Sequence, residues 1–108
     1  MENLTEKEIL ENKNLLCCLN YNLYKRQFSE EFLSKTPEYY DSWICLKTQK
    51  NLTPYFCFRY LYDNQTDSAD NWTDYYEILK YLEKQDKQYL KEDIDKEYQR
   101  AMNDRIKL

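Results

Sequence analysis

No glycine occurs anywhere in this chain of 108 residues. Glycine takes positive φ without steric cost, and tight turns between strands depend on it. A compact sheet protein with many short hairpins is therefore a poor fit to the sequence. The same absence removes every glycine-rich phosphate loop, which excludes P-loop and Rossmann chemistry. The fold class expected is mainly α.

Histidine is absent as well, so the usual general base and the commonest metal ligand are missing. The net charge is −4 and the pI is near 4.9. An acidic chain with no basic block is poorly suited to a phosphate backbone, so no nucleic acid is expected as partner. The mean hydropathy of −1.03 is polar, yet 12 tyrosines argue against simple disorder. Such composition suggests a chain that spreads over a larger partner instead of enclosing its own core. Met1 to Leu10 is acidic and lacks the apolar centre of a signal peptide. No apolar run reaches the ~18 residues needed to cross a bilayer.

Read in order, Thr5-Glu6-Lys7-Glu8 fits a capping box. Leu15, Leu19 and Leu23 then recur every four residues, which predicts a first helix over residues 6–28. Thr36-Pro37-Glu38 combines an N-cap, a proline at N1 and an acid in the first turn. It predicts a second helix over 37–49. Thr53-Pro54 repeats the signature and predicts a third over 54–62. A β-hairpin is the rival for this stretch, because both flanks are rich in β-formers around Asn51-Leu52-Thr53-Pro54. Asp63 to Asn71 reads as a polar loop. A long last helix is expected over 71–107, with Trp72, Tyr75, Leu79 and Leu82 opening a thin apolar seam. Acids and bases balance along its remainder, as on a solvent-facing arm laid against another protein.

Four cysteines carry the remaining chemical interest. Cys45 and Cys57 lie on either side of the turn with eleven residues between them. Two elements meeting across a short turn suit a disulfide there, which would contribute about 3 kcal/mol to a small domain. Cys17 and Cys18 are adjacent, a possible second thiol pair. The spacings do not match the CxxC pairs of structural zinc sites, and no histidine completes a catalytic thiol, so no metal is expected. Asp63, Gln65, Asp67, Asn71 and Asp74 occupy the register of a calcium loop. Ser68 stands where an EF-hand needs glycine, and Asp74 where it needs glutamate. Asp70 and Asp74 are the nearest approach to an acid–base pair, but charge on a helix face is usually solvation. No catalytic residue and no cofactor are predicted. The expected contact surface is aromatic: Trp43, Tyr55, Phe58, Tyr62 and Trp72.

The segment from Cys45 to Cys57, preceded by Trp43, resembles the cysteine hairpin of the PDSW-type accessory subunits of mitochondrial respiratory complex I. Tyr24-Lys25-Arg26-Gln27-Phe28 is similar to that family's aromatic-Lys-Arg-x-aromatic stretch. The resemblance covers roughly Leu15 to Tyr62. It departs from the family in the turn, where Gln49-Lys50 replaces Glu-Gly. A C-x11-C element also occurs in the nineteen-kilodalton type of subunit in the same complex. The resemblance implies a non-catalytic accessory subunit bracing the intermembrane-space face of the membrane arm. Its partners would be other subunits of a large membrane-associated complex, and its position peripheral on the inner mitochondrial membrane. Cys45 and Cys57 would lock the hairpin, with no small-molecule substrate involved. The expectation from another class is a small acidic soluble adaptor or inhibitor of viral or phage type, its thiols reduced. Taken together, a single extended chain is expected: residues 6–28, a disulfide-stapled helical hairpin at 37–62, and a long helix at 71–107.

Overall fold

The computed structural model describes residues 3–62 and 73–106. All regular elements among them are helical, so the helical alternative holds over the β-hairpin. The chain begins as its capping box requires. Glu8 N–H donates to Thr5 Oγ1 (3.2 Å) and Thr5 N–H donates to Glu8 Oε1 (3.0 Å), opening α1 (Glu6–Leu10).

The expected helix over 6–28 is not continuous. It divides into α1, α2 (Lys13–Leu16) and α3 (Leu19–Leu23). Asn12 supplies the physical reason for the first break. Its Oδ1 accepts from Asn14 N–H (3.0 Å) and Leu15 N–H (3.4 Å), which starts a new helix. Cys17 and Cys18 form the second break. The two bends turn Ile9, Leu16, Leu19 and Leu23 onto one core.

A further helix, α4 (Glu30–Lys35), lies where the sequence analysis assigned none. Ser29 caps it by accepting from Phe32 N–H (3.1 Å), and Glu6 of α1 accepts from Ser29 N–H (2.7 Å) and Oγ–H (2.6 Å). The Thr36-Pro37 signature opens only a 3₁₀ turn, Pro37–Tyr39, because Thr36 donates its hydroxyl back to Phe32 O (3.1 Å). Tyr40 and Asp41 are extended before α5 (Ser42–Thr48) begins. Thr53 does cap α6 (Pro54–Phe56), which runs into a π turn at Cys57–Leu61 closed by Tyr62 N–H on Cys57 O (2.8 Å).

Between α5 and α6 the chain must reverse without glycine, and Asn51 takes φ of 60° to do so. Asparagine tolerates this region better than other residues with a Cβ. Its side chain is also used: Asn51 Oδ1 accepts from Asp86 N–H (3.1 Å) and its Nδ2 donates to Asp86 Oδ2 (3.2 Å). Asn51→Ala should cost about 1–2 kcal/mol in a urea titration, and Asn51→Gly less than half of that, since glycine keeps the backbone free of strain.

The expected long helix over 71–107 becomes α7 (Tyr75–Glu83) and α8 (Lys91–Ile106), with a turn between them. The contacts from Asn51 hold that turn. Expected as an arm on another protein, α8 instead lies on its own chain, against α6 and the π turn. Arg105 Nη1 donates to Phe58 O (3.2 Å) and Tyr62 O (2.7 Å), and Ala101 is fully buried. The radius of gyration, 14.1 Å, is close to the ~13 Å of a folded chain this long and far from the ~30 Å of an unfolded one. The extended architecture is thus replaced by a closed one with its own core, because the aromatic residues find partners within the chain.

Candidate functional site

Cys45 sits on α5 and Cys57 opens the π turn, both without solvent exposure. They come within electrostatic reach of each other in the core. The expected staple is not formed: both stand as free thiols. Other contacts hold the hairpin instead. Gln49 N–H donates to Cys45 O (2.9 Å), Tyr81 of α7 donates its hydroxyl to Gln49 O (2.7 Å), and Leu52 N–H donates to that hydroxyl (3.0 Å). Burial pushes the Cys45 thiol up to about 12 and the Cys57 thiol well above the ordinary range. Neither is a nucleophile at neutral pH.

Cys17 and Cys18 are exposed at the α2–α3 break. A disulfide-exchange reagent at pH 8 should therefore titrate two thiols promptly and the buried two only as the protein unfolds. Burial also raises the phenols of Tyr40 and Tyr81. A group raised in the fold stabilises it fully below its unfolded pKa and ceases to as pH rises toward its folded value. Stability should hold to about pH 8 and decline above it, as unfolded thiols and then phenols ionise first.

No group of three or more metal-ligating side chains gathers among the described residues. Asp74, half of the acid pair considered above, caps α7 by accepting from Glu77 N–H (2.7 Å). Asp70, Trp72 and residues 63–71 of the calcium register lie outside the described residues.

Three of the aromatics expected as contact surface face their own α8. Phe58 is fully buried and meets Tyr62, Tyr75 and Tyr98 at centroid distances of 6.0, 5.4 and 5.0 Å. Tyr62 is half-buried, 5.8 Å from Tyr98, with the Arg105 guanidinium 5.9 Å from its ring. Tyr55 donates its hydroxyl to Asp104, and the Arg100 guanidinium lies 4.0 Å from its ring centre. Phe58 is thus core, and not available to a partner. These rings were legible as aromatic; that α8 would supply their neighbours was not.

Trp43 is different. It lies half-buried on the wall of an open groove of about 670 Å³ between α5 and α7. Lys47 and Lys50 line it from α5 and the turn that follows, Lys80 and Lys84 from α7 and its C-cap, and Gln85 is also in the lining. Glu77 and Asp86 are the acids within it. Trp43 Nε1 and Thr73 Oγ1, both on lining residues, are buried without a hydrogen-bond partner among the described residues. Sequence reasoning missed this cluster because the acidic average hides it. The available signal was the spacing: Lys80 and Lys84 are four apart, hence on one helix face. A second, more apolar cavity of about 440 Å³ lies between α7 and α8, lined by Tyr75, Leu79, Leu82, Tyr89 and Ile94.

No protein-family description, no curated protein and no solved structure matches the chain.

Proposed function

We propose that the chain is a non-catalytic binding module that recognises another protein through the groove between α5 and α7. The open, lysine-lined groove carries this reading. It gathers four cations on a chain of net charge −4, beside an indole, where the rest of the chemistry is structural. The two buried thiols are protonated, and Glu6, Glu30 and Asp74 serve to cap helices or hold turns. The module keeps its own core and presents a charged concavity, which is the organisation of a soluble adaptor. Recovery of the chain from its native source under mild conditions, followed by native mass spectrometry, tests this. A stoichiometric complex with a second protein is the expected result; a chain recovered alone would count against it.

A more specific version makes the module an accessory subunit of a respiratory complex, facing the intermembrane space. Its support is the C-x11-C spacing alone. That version requires an oxidised pair in the native protein. Denatured, unreduced protein would then show two titratable thiols; four would remove it and leave the adaptor.

A further inference from the structure

We propose that the groove between α5 and α7 receives a short acidic segment of the partner protein in extended form. This rests on the binding-module reading and specifies the chemistry of the partner. The charges in the groove are only lightly engaged. Lys80 is 4.0 Å from Glu77 and 5.1 Å from the Tyr76 ring, while Lys47 is 6.0 Å from the Tyr24 ring. Lys50 and Lys84 make no ion pair among the described residues. Four ammonium groups against Glu77 and Asp86 leave the groove cationic.

The distribution of those charges selects the ligand. The lysines come from two stretches of the chain around about 670 Å³, a volume within the range of ligand sites but far larger than one phosphate. A segment passing between them can offer carboxylates to both. Trp43 and Leu46 give that segment an apolar surface to lie on, and its backbone carbonyls are acceptors of the kind that Trp43 Nε1–H and the Thr73 hydroxyl lack among the described residues. A nucleic acid strand is disfavoured. It carries its charge far beyond the groove, onto a molecule that is acidic overall, whereas the pull of the lysines is screened within about 10 Å at ordinary salt.

The test uses the full chain, ¹⁵N-labelled, and a blocked ten-residue peptide of alternating glutamate and alanine. The expected result is a saturable shift of the Trp43 indole resonance and of backbone amides along the groove, centred on residues 43–51 and 77–86. Binding should weaken several-fold between 50 and 200 mM salt. In the Lys47→Glu, Lys84→Glu variant it should fall about ten-fold, with the remaining spectrum unchanged. Three results would overturn the proposal. One is no shift while the chain remains folded. Another is an equal response to a glutamine peptide. The third is tighter binding of oligothymidylate or inorganic phosphate at the same resonances. If the peptide fails while the native complex is still recovered, the groove proposal falls and the binding-module reading stands. If the chain is recovered alone, that reading falls by itself.

Discussion

Replacing Gln49 with alanine should lower the stability of the fold by about 3 kcal/mol, a shift of roughly 15 °C in Tm for a domain this size. Gln49 is 1% exposed, and its amide is shared among three segments. Its Oε1 accepts from Phe28 N–H (2.7 Å), while its Nε2 donates to Leu23 O (3.0 Å) and Arg26 O (3.1 Å). The side chain thus closes the C-terminal end of α3 and fixes the approach to α4. Alanine removes these bonds and leaves the buried Phe28 N–H and Leu23 carbonyl unpaired, at about 1–3 kcal/mol for each stranded group. Gln49→Glu separates bonding from shape. Its carboxylate still accepts from Phe28 but faces two carbonyls without a proton to give. Burial raises the pKa of such a group, so its deficit relative to the parent should shrink as pH falls toward 4–5, when the acid regains a donor. Thermal unfolding of the three proteins at pH 7 and pH 4.5 decides this. A loss under 1 kcal/mol for alanine would mean that water replaces the amide.

The second large effect is at Phe58. Its ring is fully buried and touches Tyr62, Tyr75 and Tyr98, so three elements meet on one side chain: the π turn, α7 and α8. Phe58→Ala should cost about 3–5 kcal/mol from lost transfer energy and the cavity left behind. Against a total of ~5–15 kcal/mol for a domain, that is a large fraction. The local consequence is specific. Phe58 O also accepts from Arg105, so loosening the π turn loosens the seat of α8. Hydrogen exchange in residues 91–106 should accelerate more than in α1 to α3. Uniform acceleration would show that α8 does not depend on this cluster.

Much of the local structure was readable because caps act within a few residues. Thr5 with Glu8, and Thr53 with Pro54, open helices where the sequence places them. What failed is informative. The Thr36-Pro37 pair looks identical to Thr53-Pro54, yet Thr36 donates to Phe32 O and ends the preceding helix. Which way a threonine hydroxyl turns depends on α4, and that element was not foreseen. The helices predicted over 6–28 and 71–107 were too long for a similar reason. Asn12 and the Asn51–Asp86 contacts break them, one through a local side chain and the other through a partner 35 residues away. The extended architecture followed from treating aromatic residues as a surface for other proteins. Arg105, Asp104 and Tyr98 give them partners within the chain, a long-range fact with no local signature. The groove was hidden differently. Its lysines are ordinary in sequence, and only the packing of α7 beside α5 makes them neighbours.

The central claim is that this groove is the working surface, and lysine footprinting tests it most directly. Chain in its native assembly and chain stripped of partners would each be labelled by brief reductive methylation, then digested and compared by mass. Lys47, Lys50, Lys80 and Lys84 should be protected in the assembly and reactive in the stripped chain, while Lys7 and Lys96 should label equally in both. Equal labelling of the four groove lysines in the two samples would contradict the account.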